Sequence, residues 1–178
     1  MRLPLLDESS NSKLPGLFSH IKKSRGVLSY VLHSLAHAPD GMEAFAAYGE
    51  YVRYKSELGA RERELAILAL ACGNQYAWSH HVVSALKSGV TQPEVDVLHD
   101  AKTPDSLNVR EEAAVEFARE FGNFGKVSDA TFKKAQTVFG NRGVTDIALL
   151  CGYFLALACY ANAFDLELEP YYKPLMRA

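Results

Sequence analysis

The chain has 178 residues, a formal net charge of −2, and 48% hydrophobic against 22% charged residues, which is enough to bury a real core in one domain and excludes wholesale disorder. Nineteen Lys and Arg stand against 21 Asp and Glu with no basic run, so nothing marks a nucleic-acid footprint. The three cysteines, at positions 72, 151 and 159, form no even framework and no C-x-x-C spacing; this speaks against a disulfide-stapled domain, gives a zinc ribbon or a dithiol redox motif no direct support, and points to a reducing, cytoplasmic compartment.

Residues 1–16 carry Pro4 and Pro15, turn acidic at Asp7 and Glu8, and read as an N-terminal arm without a signal-peptide h-region. Leu17 to His37 has apolar residues at helical spacing, interrupted near Gly26, and Ala38 to Gly41 reads as a turn. Met42 to Glu57 is a further helix, ended by Leu58-Gly59. Arg61 to Cys72 starts charged and becomes apolar all round, as a central bundle helix does. Gly73-Asn74 separates it from an amphipathic helix, Tyr76 to Ser88. Thr91 and Glu94 form a capping box that opens a helix to Ala101, and Asn108 and Ser128 cap the next two, ending near Phe121 and Phe139. Gly140 to Gly143 reads as a turn. Thr145 or Asp146 then caps a long apolar helix that fades by Asp165. Its uncharged stretch, Ile147 to Phe164, has the minimum length for a bilayer span but lacks flanking Lys or Arg, so a buried bundle helix is expected and no membrane. Leu166 to Glu169 alternates like a strand over four residues only.

The chemistry-bearing segment is Gln75 to His81, with the only tryptophan and two adjacent histidines. On a helix, Trp78, His81, Val82, Ala85 and Leu86 share the buried stripe, while His80 falls with Ser84, Lys87 and Ser88 on the polar face. His81 is therefore expected inside the bundle, as a satisfied core histidine or as a proton carrier, and His80 toward solvent. Glu62 or Glu64, on the preceding helix, can reach His81 across a hairpin at Gly73 and orient its ring; the alternative is a solvated first turn. Tyr76, Tyr153 and Tyr160 are core phenols or donors to an oxyanion, and Asn162 is structural or substrate-facing. His80 and His81 diverge by about 100° on a helix and cannot easily share an ion. His33 and His37 have the right spacing but no acid in a fixed relation, so no metal is expected.

Arg61-Glu62-Arg63-Glu64-Leu65, then Tyr76-Ala77-Trp78-Ser79-His80-His81, then Gly89-Val90-Thr91, resemble the carboxymuconolactone decarboxylase-like family, whose superfamily includes alkyl hydroperoxidase D-like peroxidases. Leu35 to Pro39 and the stretch from Val127 to Pro170 extend the resemblance over nearly the whole chain. It implies a single all-α domain over residues 1–178, built around a central helical hairpin and assembled as a homo-oligomeric trimer or hexamer. The peroxidase branch carries a C-x-x-C four residues before its histidine; here those positions are Asn74 and Ala77, so dithiol peroxidase activity is not expected. The implied activity is cofactor-free acid/base chemistry, decarboxylation or isomerisation of a small carboxylate or lactone. His81 would carry the proton, oriented by Glu62 or Glu64, and Tyr76, Trp78 and Asn74 would bind substrate. The alternatives are an antioxidant protein without the dithiol and a non-catalytic helical scaffold.

Overall fold

The computed structural model describes residues 1–176. Among them are eight α-helices, two short 3-10 turns and no strand: α1 (Leu14–Arg25), α2 (Tyr30–His33), α3 (Pro39–Tyr54), α4 (Ala60–Ala71), α5 (Gln75–Lys87), α6 (Gln92–His99), α7 (Val109–Phe121) and α8 (Asp129–Ala163). The all-α expectation holds, and the central hairpin is α4–α5, turning at Gly73 with a left-handed φ of +93°.

The nearly uniform hydrophobicity of α4 has the anticipated cause. Leu65 to Ala69 and Ala71 are all buried, because α5, α7 and α8 enclose the helix. The capping boxes at Thr91–Glu94 and Asn108–Glu111 are both formed. A smaller core beneath the N-terminal elements holds Leu14, Phe18 and Ile21 against Met42 and Ala46.

Four local expectations are corrected. Ala38 to Gly41 is the start of α3 rather than a free turn, since Pro39 at the first helical position has its φ preset and no N–H to lose. Gly140 to Gly143 is no full turn: Gly140 alone leaves helical geometry (φ 68°, ψ 179°), and the chain resumes as helix around this kink. Asp146 therefore caps nothing; it is fully buried inside α8, taking hydrogen bonds from Tyr51 Oη (2.6 Å) and the Glu57 amide (2.9 Å). Leu166 to Glu169 is irregular rather than extended, because Glu169 turns inward.

The arm lies against the body. His33 and His37 each hold one of its backbone carbonyls, those of Leu6 (2.5 Å) and Pro4 (2.9 Å), which explains their i, i+4 spacing without a metal. By length and composition α8 could cross a membrane. Its Ile147, Leu150, Tyr153 and Phe154 are buried within the bundle.

Candidate functional site

The helix α5 starts at Gln75 because the Asn74 side chain accepts the Ala77 amide at 2.8 Å. From that start, helical geometry turns Tyr76, Trp78, Ser79, His81, Val82 and Ala85 inward. Leu86 departs from the expected stripe and is 42% exposed. His81 is buried, its ring edge-on to Phe154 at 4.8 Å. Its Nδ1 lies 2.9 Å from Oε2 of Glu64 on α4. Burial pulls the His81 pKa below its ordinary value of 6.5; Glu64 opposes this, and Arg53 and His80 reinforce it. The ring is therefore neutral at pH 7. With Nδ1–H donated to the carboxylate, Nε2 is left as an acceptor.

Beside His81 is a cavity of about 150 Å³, whose walls include both histidines, Arg25, Arg53, Leu157 and Tyr172. His80 is more exposed than His81, but only slightly, at 14% against 9% for the side chains. It does not point to solvent as expected. The C-terminal segment folds over it: Oε2 of Glu169 lies 2.7 Å from His80 Nε2, and the Tyr172 ring packs 3.9 Å from the imidazole. The other Glu169 oxygen accepts from Tyr76 Oη at 2.7 Å and the Tyr30 amide at 2.6 Å. Burial works to raise the Glu169 pKa, but the bonds from His80 and the Tyr30 amide outweigh it and hold the carboxyl ionised.

The other anticipated residues lie elsewhere. Glu62 does not meet His81; it caps its own helix at the Gly59 amide (2.8 Å) and pairs with Arg110 (2.7 Å), because it faces α7 rather than α5. Trp78 is fully buried against His99 on a different wall of α5 and does not line the cavity. Asn74 accepts the Ala77 amide as the cap of α5 and donates to Asn162 Oδ1 (3.0 Å), and neither asparagine lines the cavity. Tyr76 stacks on His80 at 4.5 Å, and its hydroxyl is taken by Glu169. Tyr153 receives a hydrogen bond from Arg25 at 3.1 Å. None of the cysteines lines the cavity. Among the described residues, no group of three or more His, Cys, Asp or Glu is arranged to hold a metal.

Arg53 was legible in principle. Met42, Ala46 and Gly49 lead to it at i, i+4, i+7 and i+11, so a cation stands on the buried stripe of α3. Glu169 gave no such signal, because only the fold of an irregular tail brings it to α5.

Residues 39–120 match the Carboxymuconolactone decarboxylase family. No curated protein matches the chain in sequence. Solved structures share the fold over nearly the full length. The debrominase Bmp8, as a cysteine-to-alanine variant in complex with 2,3,4-tribromopyrrole, is 18% identical with a TM-score of 0.80, covering 96% of this chain and 92% of its own. An uncharacterized peroxidase-related protein with an alkylhydroperoxidase AhpD core, from Ralstonia eutropha JMP134, is 22% identical with a TM-score of 0.78, covering 95% and 92%. Another peroxidase-related protein, from Silicibacter sp. TM1040, is 19% identical with a TM-score of 0.79, covering 99% and 95%. The family match spans α3 to α7, a little under half of the chain, and the solved structures share its all-α fold.

Proposed function

We propose that the protein is an enzyme of cofactor-free proton transfer on a small carboxylate or lactone, with His81 as the proton carrier and Glu64 as the residue that orients it. The observation that carries this is the buried, carboxylate-held imidazole in the wall of a small cavity. A neutral Nε2 accepts a proton from a carbon beside a carbonyl, and the electron pair moves onto the carbonyl oxygen as an enolate. The imidazolium, stabilised by Glu64, then returns the proton to the same carbon or to a conjugated one. The isomerisation consumes no net proton. In a decarboxylation, the breaking C–C bond supplies the electrons, CO₂ leaves, and a proton drawn from solvent reaches carbon through the same ring. His80, braced by Glu169, gives a second imidazole on the same cavity.

The match of residues 39–120 to a decarboxylase family, and a fold shared with structures named as a debrominase and a peroxidase-related protein, support an enzyme in general terms. A thiol reaction at this cavity finds less support. Cys72 and Cys159 are exposed and away from its lining, and burial pushes the Cys151 thiol up, out of thiolate range. On the family resemblance we also propose a homo-oligomer, a trimer or hexamer, which solution mass tests.

The test is proton exchange in D₂O over a panel of small lactones and carboxylates, followed by ¹H NMR with CO₂ release measured in parallel. Turnover lost by about 100-fold or more in His81→Gln is expected. Absence of exchange and CO₂ release across the panel, or an unchanged rate in His81→Gln, would overturn the proposal. Dithiol-dependent peroxide turnover that disappears when all three cysteines are replaced would move the assignment to thiol chemistry.

A further inference from the structure

Arg53 has an unusual situation. Its side chain rises from the buried stripe of α3 into the wall of the histidine cavity. The guanidinium stacks over the Phe154 ring at 4.9 Å, and its Nε is buried without a hydrogen-bond partner. Among the described residues it makes neither a hydrogen bond nor an ion pair. Arg25 stands in the same wall, fixed by Tyr153 Oη (3.1 Å) and the Ala46 carbonyl (2.9 Å), and its Nε is also buried and unpaired. Glu64 is hydrogen-bonded to His81 and Glu169 to His80, and neither carboxylate lines the cavity. Two guanidinium groups thus face one small space with no anion in its lining.

A buried cation with no ion pair of its own, reached only through space by the Glu64 charge, is costly, and a folded chain keeps one where a ligand supplies a direct partner. We infer that Arg53, backed by Arg25, is the anion seat of this cavity, binding the carboxylate of a small monoanionic substrate so that its adjacent carbon faces His81. The assignment rests on the proton-transfer proposal only for the orientation of the ligand; the seat itself stands on the guanidinium geometry. The forked donors of arginine match a carboxylate in two parallel bonds, and a neutral amide or ester cannot return the charge. A space of about 150 Å³ fits a benzene-sized body. The ligand class is therefore a five- or six-membered ring, or a chain of similar bulk, bearing one carboxylate. Arg53 would be the residue that sets specificity for the charge, and Arg25 a positioning residue behind it.

The experiment uses 2-furoate as the anionic probe and 2-furamide as its neutral counterpart, with binding read by calorimetry and by the ¹⁵N resonances of the arginine side chains. The full-length wild-type chain should bind 2-furoate at least about tenfold more tightly than 2-furamide and shift the Arg53 signals. Arg53→Gln should lose about tenfold or more in 2-furoate affinity, and Arg53→Lys should retain part of it. His81→Gln should keep the preference for the anion, so the seat survives even if the proton-transfer proposal fails. Equal affinity of the wild type for both probes, or Arg53 signals unmoved by 2-furoate, would overturn the seat. Both readouts on the wild type hold even if Arg53→Gln does not fold.

Discussion

Glu64 Oε2 lies 2.9 Å from His81 Nδ1, and this contact joins the two arms of the central hairpin at the cavity wall. A carboxylate on one ring nitrogen fixes which nitrogen carries the proton. Glu64→Gln is expected to keep the fold but lower proton-transfer turnover by about 10- to 100-fold. Glu62→Gln, which touches only its cap and Arg110, is expected to leave turnover unchanged and cost about 1 kcal/mol or less of stability. Comparing kcat for the two variants, with thermal unfolding alongside, checks the pair. Equal loss of kcat in both would contradict the geometry.

The pH dependence of stability has two windows with distinct owners. His81 has a folded pKa below the unfolded 6.5, so the unfolded chain binds the proton first. Its contribution is fully present above pH 6.5 and is lost as the pH falls through the folded value. Glu94 is the second owner. Burial works to raise its pKa, but the Arg61 ion pair and hydrogen bonds from Ser106 and Thr91 hold it at about 2. That contribution is present above the ordinary 4.5 and is lost toward pH 2. Urea unfolding at stepped pH should show both losses. His81→Gln should flatten only the upper one, and NMR titration of His81 should give a midpoint below 6.5.

Glu169 receives three hydrogen bonds, from Tyr30, Tyr76 and His80, and is 1% exposed. Glu169→Ala leaves three buried donors without an acceptor. The expected cost is about 3 kcal/mol or more, measurable by chemical unfolding. The tail should loosen with it, so Tyr172 amide exchange should accelerate. A loss of under about 1 kcal/mol would mean that the tail is not anchored there.

Gly140 sits at φ 68° and ψ 179°, where only glycine is comfortable, and a Cβ there would meet nothing within 4 Å. Gly140→Ala therefore tests backbone strain without a packing change. The expected cost is about 1–3 kcal/mol, read as a lowered Tm. Gly49 gives the opposite case: a Cβ would collide with the Tyr153 hydroxyl and Arg25, so Gly49→Ala should disturb the cavity wall through packing alone.

Most helices, the Thr91, Asn108 and Ser128 caps and the hairpin were legible in the residues alone. Those features depend on contacts within a few residues: the Asn108 and Thr91 boxes, the apolar face of α4, and the period that turns His81 inward. The sequence left open which of two acids meets His81, because Glu62 and Glu64 differ only in the helix face they present once α4 has docked. The covering of His80, the lack of a partner for Arg53 and the capture of Glu169 needed the folded bundle. His80 lies on a polar face by periodicity and is covered by a tail 89 residues further on. Local spacing carries no information about such contacts, since a carboxylate that far along the chain reaches an imidazole only after the bundle has fixed both ends.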